Sequence, residues 1–205
     1  MIGVSDESTA NETDGRRMRR QRNRESALDA LIALFMEGDY QPSAAQVAER
    51  AGLSPRSLFR YFDDVDDLVR AAIDRMLRAA APLVGVTVAN DAPIHDRVRA
   101  LVAARVRLFS AVAPAARAAR VCAHRHAPVA EQVSRARVFL ARQIADILDP
   151  EARLPGGTER LRAVDALCSF ETFDFLHAQG LSDEEISTTL TSAVEAVITH
   201  EGIQQ

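Results

Sequence analysis

Lysine and tryptophan are absent from this 205-residue chain, and cysteine appears only twice, as Cys122 and Cys168. Two cysteines cannot build the disulfide framework of a small secreted scaffold, and a reducing compartment keeps both as thiols. Long apolar runs are missing too, since no stretch approaches the roughly 18 uninterrupted apolar residues of a membrane-spanning helix. Residues 1–15 are polar and acidic without an apolar centre, which excludes a secretory signal. The chain is therefore expected in the cytoplasm, with no membrane partner. Motifs that carry chemistry are equally scarce. There is no glycine-rich phosphate loop, no Gly-x-Ser-x-Gly elbow and no His-Glu-x-x-His pair, and no two acids stand poised as an acid/base pair. Neither enzymatic activity nor a cofactor is expected. Strand-like alternation and internal repeats are not found either, so the fold class is all-α.

What is present is an ordinary globular share of hydrophobic residues, 47%, and a basic complement of 25 residues that are all arginine. Codon bias in a GC-rich genome is sufficient to explain the missing lysine. Arginine nevertheless suits phosphate contacts, because its fork engages two oxygens at once. The net charge of -4 is unevenly spread. Residues 1–15 hold four acids and no base, residues 16–62 hold nine arginines against five acids, and the remainder holds 16 arginines against 20 acids. A basic island between acidic flanks marks a localised polyanion site, although a charged run is more often a solvated face.

Residues 1–15 lack the apolar content to bury a core and are expected to be a disordered acidic leader. A helical pattern starts near Arg22, with Ala27, Leu28, Leu31, Leu34 and Phe35 on one face, and Gly38-Asp39 ends it. Ser43 suits the N-cap of a helix over 44–50, and Gly52 falls where a left-handed C-cap is needed. Ser54-Pro55 restarts the chain as N-cap and first helical residue, with Leu58, Phe59 and Phe62 on the apolar side. Two short helices separated by a tight turn make a helix-turn-helix. A fourth helix over 64–80 follows, then expected helices at 93–110, 114–124, 127–148, 158–179 and 183–200. Ser182 and Glu185 form a capping box at the start of the last.

In a helix-turn-helix the second helix enters the major groove and presents its N-terminal residues to base edges. The DNA-facing candidates are accordingly Ser54, Pro55, Arg56, Ser57 and Arg60, with Phe59 or Tyr61 near the backbone. Arg56, at the helix start, is placed for a bidentate contact to guanine, worth about 1–3 kcal/mol of discrimination. Ser43 stands at a helix N-terminus suited to a phosphate. Arg16, Arg17, Arg19, Arg20 and Arg22 form an arm to track phosphates or enter the minor groove.

Residues 24–72 resemble the DNA-binding domain of the TetR (tetracycline-repressor-like) family. The matching stretches are Arg24-Glu25-Ser26-Ala27-Leu28-Asp29-Ala30, Leu34-Phe35, Val47-Ala48-Glu49-Arg50-Ala51-Gly52-Leu53-Ser54 and Ser57-Leu58-Phe59-Arg60-Tyr61-Phe62, closed by Leu68. The resemblance implies a homodimer reading a palindromic double-stranded DNA operator. It places Ser43, Ser57 and Tyr61 at positions that commonly touch phosphates, and Pro55, Arg56 and Phe59 at groove-facing ones. Three departures stand out. Val65, inside the acidic run Asp63, Asp64, Asp66 and Asp67, holds the place of a usual lysine; Asp39 replaces a common glycine; and Phe59 stands where tyrosine is frequent.

The resemblance divides the chain into a helix-turn-helix domain of three helices over 16–63 and a helical ligand-sensing and dimerisation domain over 64–205, with the fourth helix as the lever between them. Dimerisation is expected through the last two helices. Leu161, Val164, Leu167, Cys168 and Phe175, with Ile186, Leu190, Val194 and Val197, form stripes suited either to that interface or to the protomer's own core. Phe109, Phe139, Phe170, Phe173 and His177 are candidates to line a cavity for a small-molecule effector, and Arg105 and Arg107 are candidates to pair with an anionic one if they are not simply surface residues. Cys122 and His126 share a helix face but lack further converging ligands, so no metal site is expected. An alternative function is a dimeric helical adaptor or ligand-binding module with weakened DNA binding, supported by the acidic run at 63–67. Steep salt dependence of DNA binding separates the two.

Overall fold

The computed structural model describes residues 5–89 and 91–199, with side chains described from Gly15. Every regular element among them is helical. In chain order they are α1 (Ser5–Met36), α2 (Ala44–Arg50), α3 (Pro55–Leu58), α4 (Val65–Ala80), a 3-10 turn (Ala81–Leu83), α5 (Ile94–Ala123), α6 (Ala127–Ile147), α7 (Asp149–Ala152), α8 (Gly157–Leu167), α9 (Phe170–Ala178) and α10 (Asp183–Thr199). Two compact units divide the chain at Met76 and Leu77. No described helix is long and apolar enough to cross a membrane.

The first unit is built around the apolar face of α1. Ala27, Leu28, Leu31, Leu34 and Phe35 are buried, as their spacing requires, together with Val47 and Ala48 of α2, Leu58, Phe62, and Leu68, Val69, Ala72 and Ile73 of α4. Arg75 fastens α4 to α1, donating to Glu25 at 3.1 Å and Asp29 at 2.6 Å. These contacts explain why the first unit reaches Met76 instead of stopping at residue 63. The first helix also begins earlier than its apolar pattern, at Ser5, and takes in a stretch expected to be disordered. No proline interrupts the chain before Pro42.

In the second unit α5 is central, packing against α6, α9 and α10. Val98, Leu101, Val102, Val106, Phe109 and Val112 of α5 meet Ile144 of α6, Val164 of α8, Phe170 and Phe173 of α9, and Ile186, Leu190 and Val194 of α10. The expected break before Pro114 does not occur. The helix continues through it, with Val112, Ala113, Ala115 and Ala118 all buried, so packing outweighs a proline penalty of about 3 kcal/mol. The reverse happens at 158–179, which is two helices. Ser169 adopts an extended backbone and its side chain accepts from the Thr172 N–H at 3.2 Å, capping α9 afresh. Gly157 permits the α7–α8 junction, since a Cβ there would lie 2.3 Å from the Ala152 carbonyl oxygen.

The stripes considered for a dimer interface face inward. Val164, Cys168, Ile186, Leu190 and Val194 are buried in the protomer's own core, and Leu161, Leu167 and Val197 pack against it. Phe175 is the exception, 65% exposed on α9. The outer face of α10 carries Thr188, Thr189, Ser192 and Ala196 instead.

Candidate nucleic-acid interface

The candidate interface is assembled from caps. Ser43 closes a capping box on α2: its hydroxyl accepts from the Gln46 N–H at 3.3 Å, and Gln46 Oε1 accepts from the Ser43 N–H at 2.9 Å. The same Oε1 also accepts a hydrogen bond from the Ser43 hydroxyl at 2.6 Å. α2 ends in a Schellman turn, with the Leu53 N–H bonded to the Ala48 carbonyl and Gly52 at φ +67°. That left-handed residue turns the chain from α2 into α3, and glycine takes it without strain. Ser54 then caps α3, accepting from the Ser57 N–H at 3.1 Å.

Only one regular turn of α3 forms, Pro55–Leu58. Beyond it the Arg60 and Tyr61 amides bond three residues back, a 3-10 tightening. Leu58 and Phe62 are buried by this arrangement, whereas Pro55, Arg56, Phe59 and Arg60 are exposed together, and Ser57 and Tyr61 are half-buried. Arg56 makes no hydrogen bond or ion pair among the described residues, so its guanidinium is available to a partner. Tyr61 is anchored from α1, its hydroxyl accepting from Asn23 Nδ2 at 2.9 Å, and Arg24 of α1 lies over the Phe62 ring at 5.0 Å. These two α1 side chains fix the height of α3, and neither belongs to a spacing pattern that a sequence reading weighs.

Arg16, Arg17, Arg19, Arg20 and Arg22 are all exposed and lie on α1, not on an extended arm. A helix with its side chains is about 10 Å across and a B-form minor groove about 6 Å wide, so in this conformation the row suits phosphates and not minor-groove entry. The acidic run has a structural occupation. Asp64 Oδ1 accepts from the Asp67 N–H at 2.7 Å and Asp67 Oδ2 from the Asp63 N–H at 3.3 Å, which caps α4, and Asp67 also holds Arg70 at 2.6 Å.

In the second unit the five residues considered for an effector cavity do not share one environment. Phe109, Phe170 and Phe173 are buried against one another, with ring centroids 5.6–6.1 Å apart. Exposed His177 borders Phe173 at 5.8 Å, and Phe139 is half exposed on α6, outside these ring pairs. Arg107 is exposed while Arg105 is buried. Cys122 is buried near the end of α5 and His126 is half-buried beyond it as the N-cap of α6, and no group of three metal-ligating side chains occurs among the described residues.

Comparison with known proteins matches residues 27–72 to the bacterial regulatory proteins of the tetR family. No curated protein sequence matches the chain. Among solved structures, a transcriptional regulator from Rhodococcus sp. RHA1 superposes with a TM-score of 0.67 at 20% identity, over 89% of this chain and 99% of its own. A TetR-like transcriptional regulator from the same organism gives 0.66 at 16% identity, over 87% and 97%. The multidrug binding protein EbrR, complexed with imidazole, gives 0.57 at 19% identity, over 91% and 93%. Likeness at these identities establishes the fold.

Proposed function

We propose, from the match of residues 27–72 to the bacterial regulatory proteins of the tetR family, that the chain is a ligand-responsive repressor of that family acting as a homodimer on a palindromic operator. One observation carries the reading. Pro55, Arg56, Phe59 and Arg60 are exposed as a set on an element whose other side is locked by Leu58, Phe62 and the Asn23–Tyr61 bond. Rigid support with outward arginine is what base-edge readout needs, while Arg16, Arg17, Arg19, Arg20 and Arg22 supply sequence-independent attraction. Ser43, Ser54 and Ser57 spend side-chain oxygens on caps, so their part in DNA binding is to hold the helices and offer remaining hydrogen-bond capacity to phosphates.

Dimerisation through α8–α10 in this reading draws on Phe175, a large apolar side chain 65% exposed on α9. The small side chains outside α10 allow close helix approach. The second unit, 77–205, is the sensor in this reading, and a multidrug binding protein among the structural neighbours supports a small-molecule effector. Effector and operator binding are then reciprocally coupled by about 1–3 kcal/mol. The protein acts in the cytoplasm. The adaptor alternative is less favoured, because two of the four acids at 63–67, Asp64 and Asp67, are engaged in capping α4.

Selection of genomic fragments with purified protein tests the proposal, followed by footprinting with and without a panel of metabolites. A palindromic footprint at a promoter, lost with one compound, is the expected result. No enrichment at low salt would refute DNA recognition, and a footprint indifferent to every compound would count against ligand response.

A further inference from the structure

Arg105 is a buried charge that folding alone does not account for. It lies in the middle of α5 at 1% exposure. Nη1 donates to Gln143 Oε1 at 2.8 Å and Nη2 to the Leu140 carbonyl at 2.9 Å, while Nε has no partner. Gln143 is itself pinned, its Nε2 donating to the Val84 carbonyl at 3.1 Å. Both acceptors of the guanidinium are neutral, and it forms no ion pair with any described carboxylate. Asp165 acts on it only through space, and burial holds the neighbouring Cys168 thiol up at about 12, uncharged and unable to balance it. The other buried arginine, Arg97, shows the usual solution: both of its Nη groups grip Glu151. Arginine is almost never fully buried without such a counter-charge.

We propose that Arg105 receives the carboxylate of an apolar monocarboxylic acid, and that this acid is the effector, an inference that rests on the ligand-responsive reading above. Two of the five guanidinium N–H groups are used by the protein, and a carboxylate is the planar acceptor that matches the rest. A monoanion balances the single charge; a dianion would set excess negative charge beside Asp165. The apolar body follows from the neighbours. Phe109, one turn further along the same face of α5, carries the aromatic cluster with Phe170 and Phe173. The approach follows from α6. A helix lying on a core buries about one residue in three or four, yet residues 134–139 are all exposed, directly before the Leu140 carbonyl that holds Arg105. Val138 and Phe139, each about half exposed, immediately precede Leu140 on α6 and give that approach its apolar side chains.

The test is calorimetric titration of the full chain with octanoate and 4-phenylbutyrate, each against its neutral carboxamide, with inorganic phosphate as an anion lacking an apolar body. Operator-DNA release is read in parallel. The acids are expected to bind saturably and at least about tenfold more tightly than the amides or phosphate. Arg105→Met should erase that preference and Arg105→Lys should keep part of it, with operator binding retained in both as evidence of folding. Substituting a buried charge by an apolar side chain of similar length is commonly tolerated, and the acid–amide comparison in the unmodified protein needs no variant. Acids and amides binding alike, no acid binding up to about 10 mM, or undiminished acid binding by Arg105→Met would each overturn the proposal. Neutral compounds that release operator from both the unmodified protein and Arg105→Met would overturn it while leaving ligand response intact. Acids that bind through Arg105 without affecting operator would keep the site and refute its role as effector site.

Discussion

Replacing Arg56 with alanine isolates the part of the interface that reads sequence. The side chain is exposed on the single regular turn of α3 and makes no internal hydrogen bond or ion pair among the described residues. Its loss should leave folding stability within about 0.5 kcal/mol. A bidentate contact to guanine is worth about 1–3 kcal/mol, roughly 5- to 150-fold in affinity. A homodimer presents two copies, and well-separated sites add, so a palindromic operator should lose about 2–6 kcal/mol of discrimination. The assay is fluorescence anisotropy with the selected operator and a scrambled duplex of equal length, for both proteins, across a salt series. The ratio of operator to scrambled affinity should collapse while the salt slope on operator stays the same. Equal losses on both duplexes, with a log–log salt slope shallower by about 0.9 for each arginine removed, would show Arg56 on a phosphate and refute the placement of the α3 start on base edges.

Three further outcomes follow from the packing. Arg97 donates to Glu151 and to the carbonyls of Ala92 and Ile147, all inside the second unit; Arg97→Ala should cost about 3–5 kcal/mol in urea unfolding, and a loss below about 1 kcal/mol would mean that water replaces the pair without penalty. Phe175→Arg should leave the protomer folded and shift sedimentation from dimer to monomer; an unchanged dimer would remove α9 from the interface. Burial raises the Glu171 carboxyl, but hydrogen bonds from Arg120 and Arg137 outweigh it and hold the group at about 2, below its ordinary 4.5. A depressed carboxylate stabilises the fold fully above the ordinary value and loses that contribution as pH falls through the folded one. The stability gap between the unmodified protein and Glu171→Gln should therefore narrow between about pH 4.5 and 2, from a gap that exposure keeps to about 1 kcal/mol; a pH-independent gap would show that the charge is not involved.

Local chemistry determined much of this protein from sequence alone. The capping serines 43, 54 and 182, the left-handed Gly52 and the periodic apolar face of α1 each act within a few residues, so the helix-turn-helix and its exposed Pro55, Arg56 and Arg60 are legible in the sequence; Phe59, expected on the apolar side with Leu58 and Phe62, is instead 47% exposed because the chain tightens beyond Leu58. Tertiary packing decided what those rules leave open. It carried α5 through Pro114 because the flanking residues are buried on both sides, and it broke the chain at Ser169, whose capping hydroxyl won over continuous helix periodicity. It also turned the Val164 and Ile186 stripes inward, a choice between two apolar surroundings that a hydrophobic pattern does not distinguish. Arg105 is the clearest case. An arginine within a helix reads as a surface residue, and only a helix enclosed on several sides by α6, α9 and α10 could draw that charge into the core. Sequence sets which faces are able to bury; the assembled neighbours set which ones do, because burial is a property of the space between elements.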